Sequence, residues 1–279
     1  MTPFAVSAPP SRDRESAQRT PTDTQAALQE RQYLFPYHYL PVYDGKRFSQ
    51  VQHWSWGYRY LGRLQIALDL LARIPFQSLL DVGCGDGRLL GAVRERWPAS
   101  TVLGIDTSDA AIAMARRMNP EIPVEVRDLL RAPLDGCFDV VTALDVMEHV
   151  RPEVLPAFLH TVAVSLRPGG TLVLTVPHTN QALIDKHYQH FNSVTLRRLL
   201  EGGFSEPRFL PFDRRSWVFD LLWKALGGSG RYYVVTHAGI NTLLFRHYQR
   251  RQLYAGDERT CLRIACVARK APAAGPAGG

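Results

Sequence analysis

Residues 79–90 read LLDVGCGDGRLL: an apolar run closed by Asp81, three glycines spaced G-x-G-x-G at Gly83, Gly85 and Gly87, then a helix-like pattern. A strand that must stop at a turn lying flush against a ligand needs this order, because residues without a Cβ take positive φ and admit close approach to the backbone. The following helix would aim its unpaired N–H groups at the same place. A glycine triplet alone serves a tight strand-to-helix turn equally well. The residues around it decide between the two.

Upstream, residues 58–73 carry Leu61, Leu64, Leu68 and Leu71 at helical spacing and lead into a strand over 78–82. Downstream, 88–96 reads as helix and 101–105 as a short strand ending in Asp106. Asp109 would cap a helix over 110–118, and 124–126 is a third strand. FDVVTAL at 138–144 is the nearly continuous apolar run of a strand buried on both faces. A helix is predicted over 154–166 despite Pro156, with Pro168-Gly169-Gly170 breaking the chain before a strand over 171–176. Ser193 would cap a helix running to about residue 201, stopped by Gly202-Gly203. This alternation predicts an α/β fold, a doubly wound parallel sheet with ligands at the carboxyl ends of its strands.

The chain of 279 residues is 46% hydrophobic, enough for one α/β domain with appendages. Residues 1–32 are rich in Pro, Ser, Thr, Arg and Gln without apolar periodicity, and with 271–279 they read as disordered tails. No apolar signal core lies near Met1, and no stretch approaches the roughly 18 apolar residues of a membrane span. Cys84, Cys137, Cys261 and Cys266 show no metal-ligand spacing, so a reduced, cytoplasmic protein is the default. The net charge is +7, and residues 211–256 hold seven Lys or Arg against two acids, interleaved with Trp217, Phe219, Trp223, Tyr232, Tyr233 and Phe245. Such a stretch points to an anionic substrate or surface, or to ordinary solvation.

Two features narrow the ligand of the glycine turn. Asp106 stands 23 residues after Gly83, at the end of the second strand, where an acid accepts hydrogen bonds from both ribose hydroxyls. A nicotinamide dinucleotide enzyme shares that spacing, but its G-x-G-x-x-G pattern fails here, since Arg88 stands where the third glycine belongs. Asp81 puts an anion where a pyrophosphate would sit. It would repel phosphate and welcome an ammonium group.

DVGCGDG at 81–87, GIDTS at 104–108, RDLL at 127–130, FDVVTALDVMEHV at 138–150 and LRPGGTLVLTVP at 166–177 resemble, in order, the motifs of class I S-adenosyl-L-methionine-dependent methyltransferases of the small-molecule, quinone-biosynthesis-like branch. The resemblance covers roughly residues 78–204. It implies a seven-stranded Rossmann-like sheet, mainly parallel with an antiparallel last strand, and S-adenosyl-L-methionine as cofactor. By position, Asp81 with Gly83, Cys84, Gly85 and Gly87 would hold the methionine end, and Asp106 with Thr107 the ribose. Asp128 and Leu129 would flank the adenine, and Leu144 would meet the cofactor near its amino group. For Asp128 a turn-capping role is the plain alternative.

The family's terminal antiparallel pair falls on 208–212 and 261–267. A core domain over 76–270 is then expected, carrying a helical insertion at about 212–258 and preceded by a lid over 33–75 that includes Tyr37, His38, Tyr39, Trp54 and Trp56. WVFDLLWKAL at 217–226 has the cationic flank and tryptophans of an interfacial helix, or of an ordinary packing surface. Membrane-surface contact through 211–256 is one expectation.

Methyl transfer from a sulfonium needs positioning, desolvation and removal of the acceptor's proton. Histidine suits the last task, so His149 is the candidate base and His190 a second catalytic candidate; a structural role for His149 is equally open. Asp145, Glu148 and His149, joined by His187 or His190, alternatively supply ligands for a divalent metal. E-x-x-E-H occurs at this place in some quinone-biosynthesis O-methyltransferases and in the small-RNA 3′-terminal 2′-O-methyltransferases, whereas this chain has Asp at the first position. The expected partner is a small or lipid-like acceptor, methylated on oxygen; nucleic acid is disfavoured because no RNA-binding module is recognisable. An RNA 3′ end and a non-catalytic, cofactor-binding partner protein are the alternatives.

Overall fold

The computed structural model describes residues 42–43, 48–49, 54–134, 138–219, 221, 238–254 and 256–272. Of the expectations above, both tails up to residue 32 and from 273, the aromatic positions 37–39, Cys137, and Trp223, Tyr232 and Tyr233 lie outside these residues.

Seven strands form one sheet: β1 (Ser78–Val82), β2 (Thr101–Asp106), β3 (Val124–Val126), β4 (Phe138–Leu144), β5 (Leu166–Pro177), β6 (Phe204–Arg214) and β7 (Cys261–Lys270). Their order is β3-β2-β1-β4-β5-β7-β6. The pairs from β3 through β5 are parallel, while β7 runs antiparallel between β5 and β6. The expected architecture is therefore present. The strand order reverses between β1 and β4, and a crevice opens there at the carboxyl ends.

The helices are α1 (Trp54–Leu71), α2 (Arg88–Arg96), α3 (Asp109–Met118), α4 (Leu155–Ser165), α5 (Ser193–Leu200) and α6 (Ala238–Tyr248). Successive residues of a strand face opposite layers. Leu79 thus packs with Leu90, Val93 and Ile112 under α2 and α3, while Leu80 packs with Phe158, Val162 and Leu196 under α4 and α5. All of these side chains are buried, each contributing about 1.5–3 kcal/mol through loss of apolar surface. A third cluster joins Tyr58 and Ile66 of α1 to Phe212, Phe219, Tyr248 and Leu253.

Local details differ from the sequence reading. Ser108, not Asp109, caps α3 by accepting from the Ala111 N–H, and Asn192, not Ser193, caps α5 in a capping box with Thr195. Each expected cap lies one residue inside its helix, where the backbone is already helical. Pro156 is tolerated because it falls in the first turn of α4, where an N–H has no partner within the helix. The chain does not break at Pro168-Gly169-Gly170. It bulges, Phe138 pairing with Leu166 and Val140 with Thr171, and β5 runs through. On α1 the buried face runs through Tyr58, Ile66, Ala67 and Leu71, leaving Leu61 exposed.

The described part of the C-terminal insertion packs against α1. A Cβ on Gly62 would lie 2.9 Å from Leu253 and Tyr248, and Gln249 donates to Gln65 at 2.6 Å. Trp217, Leu221 and Leu243 stay exposed. Cys84, Cys261 and Cys266 are free and buried. Among the described residues no helix is long and apolar enough to cross a membrane.

Candidate active site

The turn after β1 takes positive φ at Gly83, Gly85 and Gly87 (70°, 55° and 75°). Its amides are spent inside the protein. Gly83 and Cys84 both donate to the Ile105 carbonyl at 2.8 and 3.0 Å, and Gly87 donates to the Cys84 carbonyl at 2.9 Å. Gly85 donates to Asp106 Oδ2 at 3.0 Å, and Arg88 to Asp86 Oδ1 at 3.1 Å. The expectation of free amides aimed at a ligand is therefore corrected. What the turn gathers is carboxylate.

Three acids surround it. Asp81 is buried and accepts from Thr142 Oγ1 at 2.7 Å; burial pushes its carboxyl up to about 7, with Asp106 and Asp86 adding to the shift. Asp106 bridges the Gly85 and Ser108 amides, the latter at 2.9 Å. Asp86 is raised by burial against the bonds it accepts from Arg88 and the Tyr60 hydroxyl. A cavity of about 160 Å³ lies over the turn, lined by Asp81, Gly83, Cys84, Gly85, Leu144 and Asp145 on the sheet side. Tyr60, Arg63 and Leu64 of α1 close it from above. Of the residues implied as cofactor ligands, Gly87, Asp106, Thr107, Asp128 and Leu129 are not among those that line this cavity. Asp106 touches its rim through Gly85, and Thr107 is exposed. Asp128 accepts from the Leu130 amide at 3.0 Å and pairs with Arg131, so it caps its own turn, while Leu129 is buried in the core.

Beyond Leu144 the chain turns through Asp145, a non-glycine residue at φ 57°. Arg63 Nη1 donates to its Oδ2 at 2.9 Å; Arg263 Nη1 and Thr175 Oγ1 donate to Oδ1, the latter at 3.0 Å. Burial alone would raise this carboxyl, but Arg263 and Arg63 outweigh it and hold it below the usual range. Asp145 is thereby removed from the metal-ligand set proposed for it: its oxygens already serve two guanidinium groups.

The next turn, Met147–His149, brings the remaining candidates together. Glu148 is buried and its Oε2 has no hydrogen-bond partner among the described residues. Burial and then Asp145 push its carboxyl up to about 8. One ligand atom each from Glu148, His149 and His187 lie within 4.8 Å of one another. His149 Nδ1 lies 2.9 Å from the Lys186 carbonyl, so Nδ1 carries the proton and Nε2 the lone pair. His190 Nδ1 lies 3.3 Å from the Gln181 carbonyl, so its Nε2 is the acceptor for His187 Nδ1–H at 2.8 Å. That chain leaves the His187 lone pair on Nε2. Burial lowers His149 to about 4 and His187 to about 3, and His190 likewise falls, so all three rings are neutral at pH 7. Both ring nitrogens of His190, the second catalytic candidate, are engaged, Nδ1 with the Gln181 carbonyl and Nε2 with His187.

Sequence reasoning missed Arg63, Arg263, Asp86 and Tyr60. Asp86 was within reach, lying inside the quoted motif. The arginines carry no local signal, since their shared partner is 82 and 118 residues away.

A family model described as a methyltransferase domain matches residues 55–203, more than half of the chain. Trans-aconitate 2-methyltransferase of Azoarcus sp. is 33% identical over 165 residues, covering 57% of this chain and 62% of that protein. The same enzyme of Escherichia coli is 32% identical over 118 residues, covering 41% and 46%. The chain thus spans less than two thirds of the length of these curated relatives. Among solved structures, the N-methyltransferase NodS of Bradyrhizobium japonicum, in complex with S-adenosyl-L-homocysteine, superposes with a TM-score of 0.57 at 14% identity, covering 90% of this chain and 100% of that one. A SAM-dependent methyltransferase of Archaeoglobus fulgidus gives 0.52 at 19% identity, covering 75% and 94%. These likenesses establish the fold.

Proposed function

The chain belongs to the methyltransferase-domain family, and from that premise we propose that it transfers the methyl group of S-adenosyl-L-methionine to an oxygen of a small or lipid-like metabolite. The observation that carries the reading is the turn after β1, whose amides are consumed internally while Asp81, Asp86 and Asp106 surround it. A pyrophosphate needs free amides and is repelled by carboxylates; a sulfonium carrying an α-ammonium group finds the reverse. The cavity, at about 160 Å³, is smaller than the roughly 300–1,000 Å³ of a pocket enclosing a whole drug-sized ligand. It suits the methionine half, with Asp81 at the ammonium and Leu144 beside it. The adenosine half would lie outward along Asp106 and Thr107 towards Asp128 and Leu129.

In transfer, the acceptor oxygen attacks the methyl carbon in line, the carbon–sulfur bond breaks, and S-adenosyl-L-homocysteine leaves as a neutral thioether. The α1 helix excludes water from above through Tyr60 and Leu64. The acceptor's proton goes to His149 Nε2, whose lone pair is fixed by the Nδ1 bond to Lys186. The named substrate of the trans-aconitate relatives, a small molecule, supports the acceptor class.

One observation favours a metal-assisted version. Among the described residues Glu148 Oε2 is buried without a hydrogen-bond partner, beside His149 and His187. Two imidazoles and a carboxylate fit a divalent cation, with Glu148, His149 and His187 as its ligands and His190 and the Lys186 carbonyl orienting them. A divalent cation, when bound, would supply Lewis acidity towards the acceptor hydroxyl. Activity that falls on treatment with a chelator and returns with magnesium or manganese supports this version; indifference to both leaves His149 as the base.

Incubating the protein with methyl-labelled cofactor and crude metabolite extract tests the function. Labelled product of low mass is expected. Saturable cofactor binding with no product would make the domain a binding partner only, and salt-dependent oligonucleotide binding would restore the RNA-end alternative.

A further inference from the structure

The acceptor end of the cleft is built around two guanidinium groups that converge from opposite sides, Arg63 from α1 and Arg263 from β7. Each uses one nitrogen on Asp145, and the described residues give neither a further hydrogen bond. Arg63 and Asp145 line the cavity over the glycine turn, and Arg263 reaches the other oxygen of the same carboxylate. The arginine side chains are 21% and 12% exposed, which is deep for arginine yet accessible. Lys186 adds a third cation nearby, close enough to bear on Glu148. Asp145 is the carboxylate hydrogen-bonded to both guanidinium groups, and the buried Asp213 also bears on both. The positive charge of two guanidinium groups is thus met directly by a single carboxylate, one residue beyond Leu144.

The carboxylate that partly neutralises it is held in a costly way. Asp145 sits in the left-handed region, sparsely populated by non-glycine residues, and such strain persists where surrounding contacts impose it. Its amide is fixed by the Thr175 carbonyl at 2.8 Å, which leaves the side chain as the part that can move aside.

Resting on the methyltransferase reading above, we infer that the acceptor is a carboxylate-bearing small molecule, whose carboxylate binds between Arg63 and Arg263 in exchange for the side chain of Asp145. A carboxylate matches the paired donors of guanidinium in a way that a neutral hydroxyl or amide does not. Asp145 shows what the pair selects, because it presents the same functional group. It acts as an internal competitor.

The test uses the full chain saturated with S-adenosyl-L-homocysteine and reads the rise in melting temperature caused by glutarate, citrate, benzoate, glutaramide and inorganic phosphate. A rise with at least one carboxylate, and none with glutaramide, is expected. Arg263→Gln and Arg63→Lys should weaken the responding carboxylate by roughly tenfold or more, as for other truncated charge pairs. Asp145→Asn should strengthen it, the opposite sign, which a purely structural ion cluster cannot produce. If Arg263→Gln is too unstable to assay, Arg63→Lys and Asp145→Asn decide alone. No discrimination between carboxylates and glutaramide, a response to phosphate alone, or an unchanged or weakened response in Asp145→Asn would overturn the inference. A protein that fails to bind S-adenosyl-L-homocysteine in the first step instead removes the underlying methyltransferase reading.

Discussion

The two ends of the cleft are assembled over different distances along the chain. At the glycine turn, Asp106 meets Ser108 and Gly85, and Asp86 meets Arg88, with partners 2 to 21 residues apart, and Asp81 has its hydrogen-bond partner further off, Thr142 across 61. At the arginine end, Asp145 meets Arg63 and Arg263 across 82 and 118 residues, and His149 meets Lys186 across 37. The first end is a motif, the second a constellation. The charges are opposite too: carboxylates gather where a cationic donor would lie, and guanidinium groups where an anionic acceptor would.

Substitutions should separate the ends. The largest effect belongs to the constellation: Arg263→Leu leaves Asp145 with one guanidinium partner and should cost about 2–4 kcal/mol in urea unfolding, somewhat under a fully buried pair because Asp145 is 22% exposed. Gly83→Ala strikes the motif. Its Cβ would lie 2.5 Å from Val146 at φ 70°, so strain of about 1–2 kcal/mol plus that contact should weaken S-adenosyl-L-homocysteine tenfold or more in calorimetry. Full affinity in Gly83→Ala would show that the turn does not shape the site.

Legibility follows the same division. β1, β3 and β4 have the predicted bounds because their apolar runs and turn residues are contiguous. The glycine turn and Asp106 were readable for the same reason. Missed features depend on what comes from afar: Leu61 looked like core but faces outward, because Ile66 and Ala67 meet the sheet instead. The charge of the arginine end was visible only as composition, and Arg63 looked like any polar position on an amphipathic helix. Asp145 reads only as one member of an alternative metal-ligand set beside Glu148, and its two arginines come from the fold.

The two smaller predictions belong to the motif. Burial raises the Asp81 carboxyl to about 7, above its unfolded value, so the folded protein holds the extra proton across the window below 7. Stability tied to this group is present below the unfolded value and lost as pH rises towards 7. A ligand ammonium favours the ionised form, so binding releases that proton. Affinity for S-adenosyl-L-homocysteine should rise by up to about tenfold per unit as pH climbs to 7, then level off. Titrations in buffers of different ionisation enthalpy would read the proton release, and Asp81→Asn should abolish it. Smallest of all, Ser108→Ala removes the cap of α3 and should cost about 1 kcal/mol, whereas Asp109→Ala should cost less in the same unfolding assay.

Parallel calorimetric titrations of the full chain with S-adenosyl-L-homocysteine and with NAD most directly probe the acid-lined turn. One equivalent of S-adenosyl-L-homocysteine should bind and NAD should give no heat of binding; saturable NAD binding without S-adenosyl-L-homocysteine binding would contradict the assignment of the methyl donor.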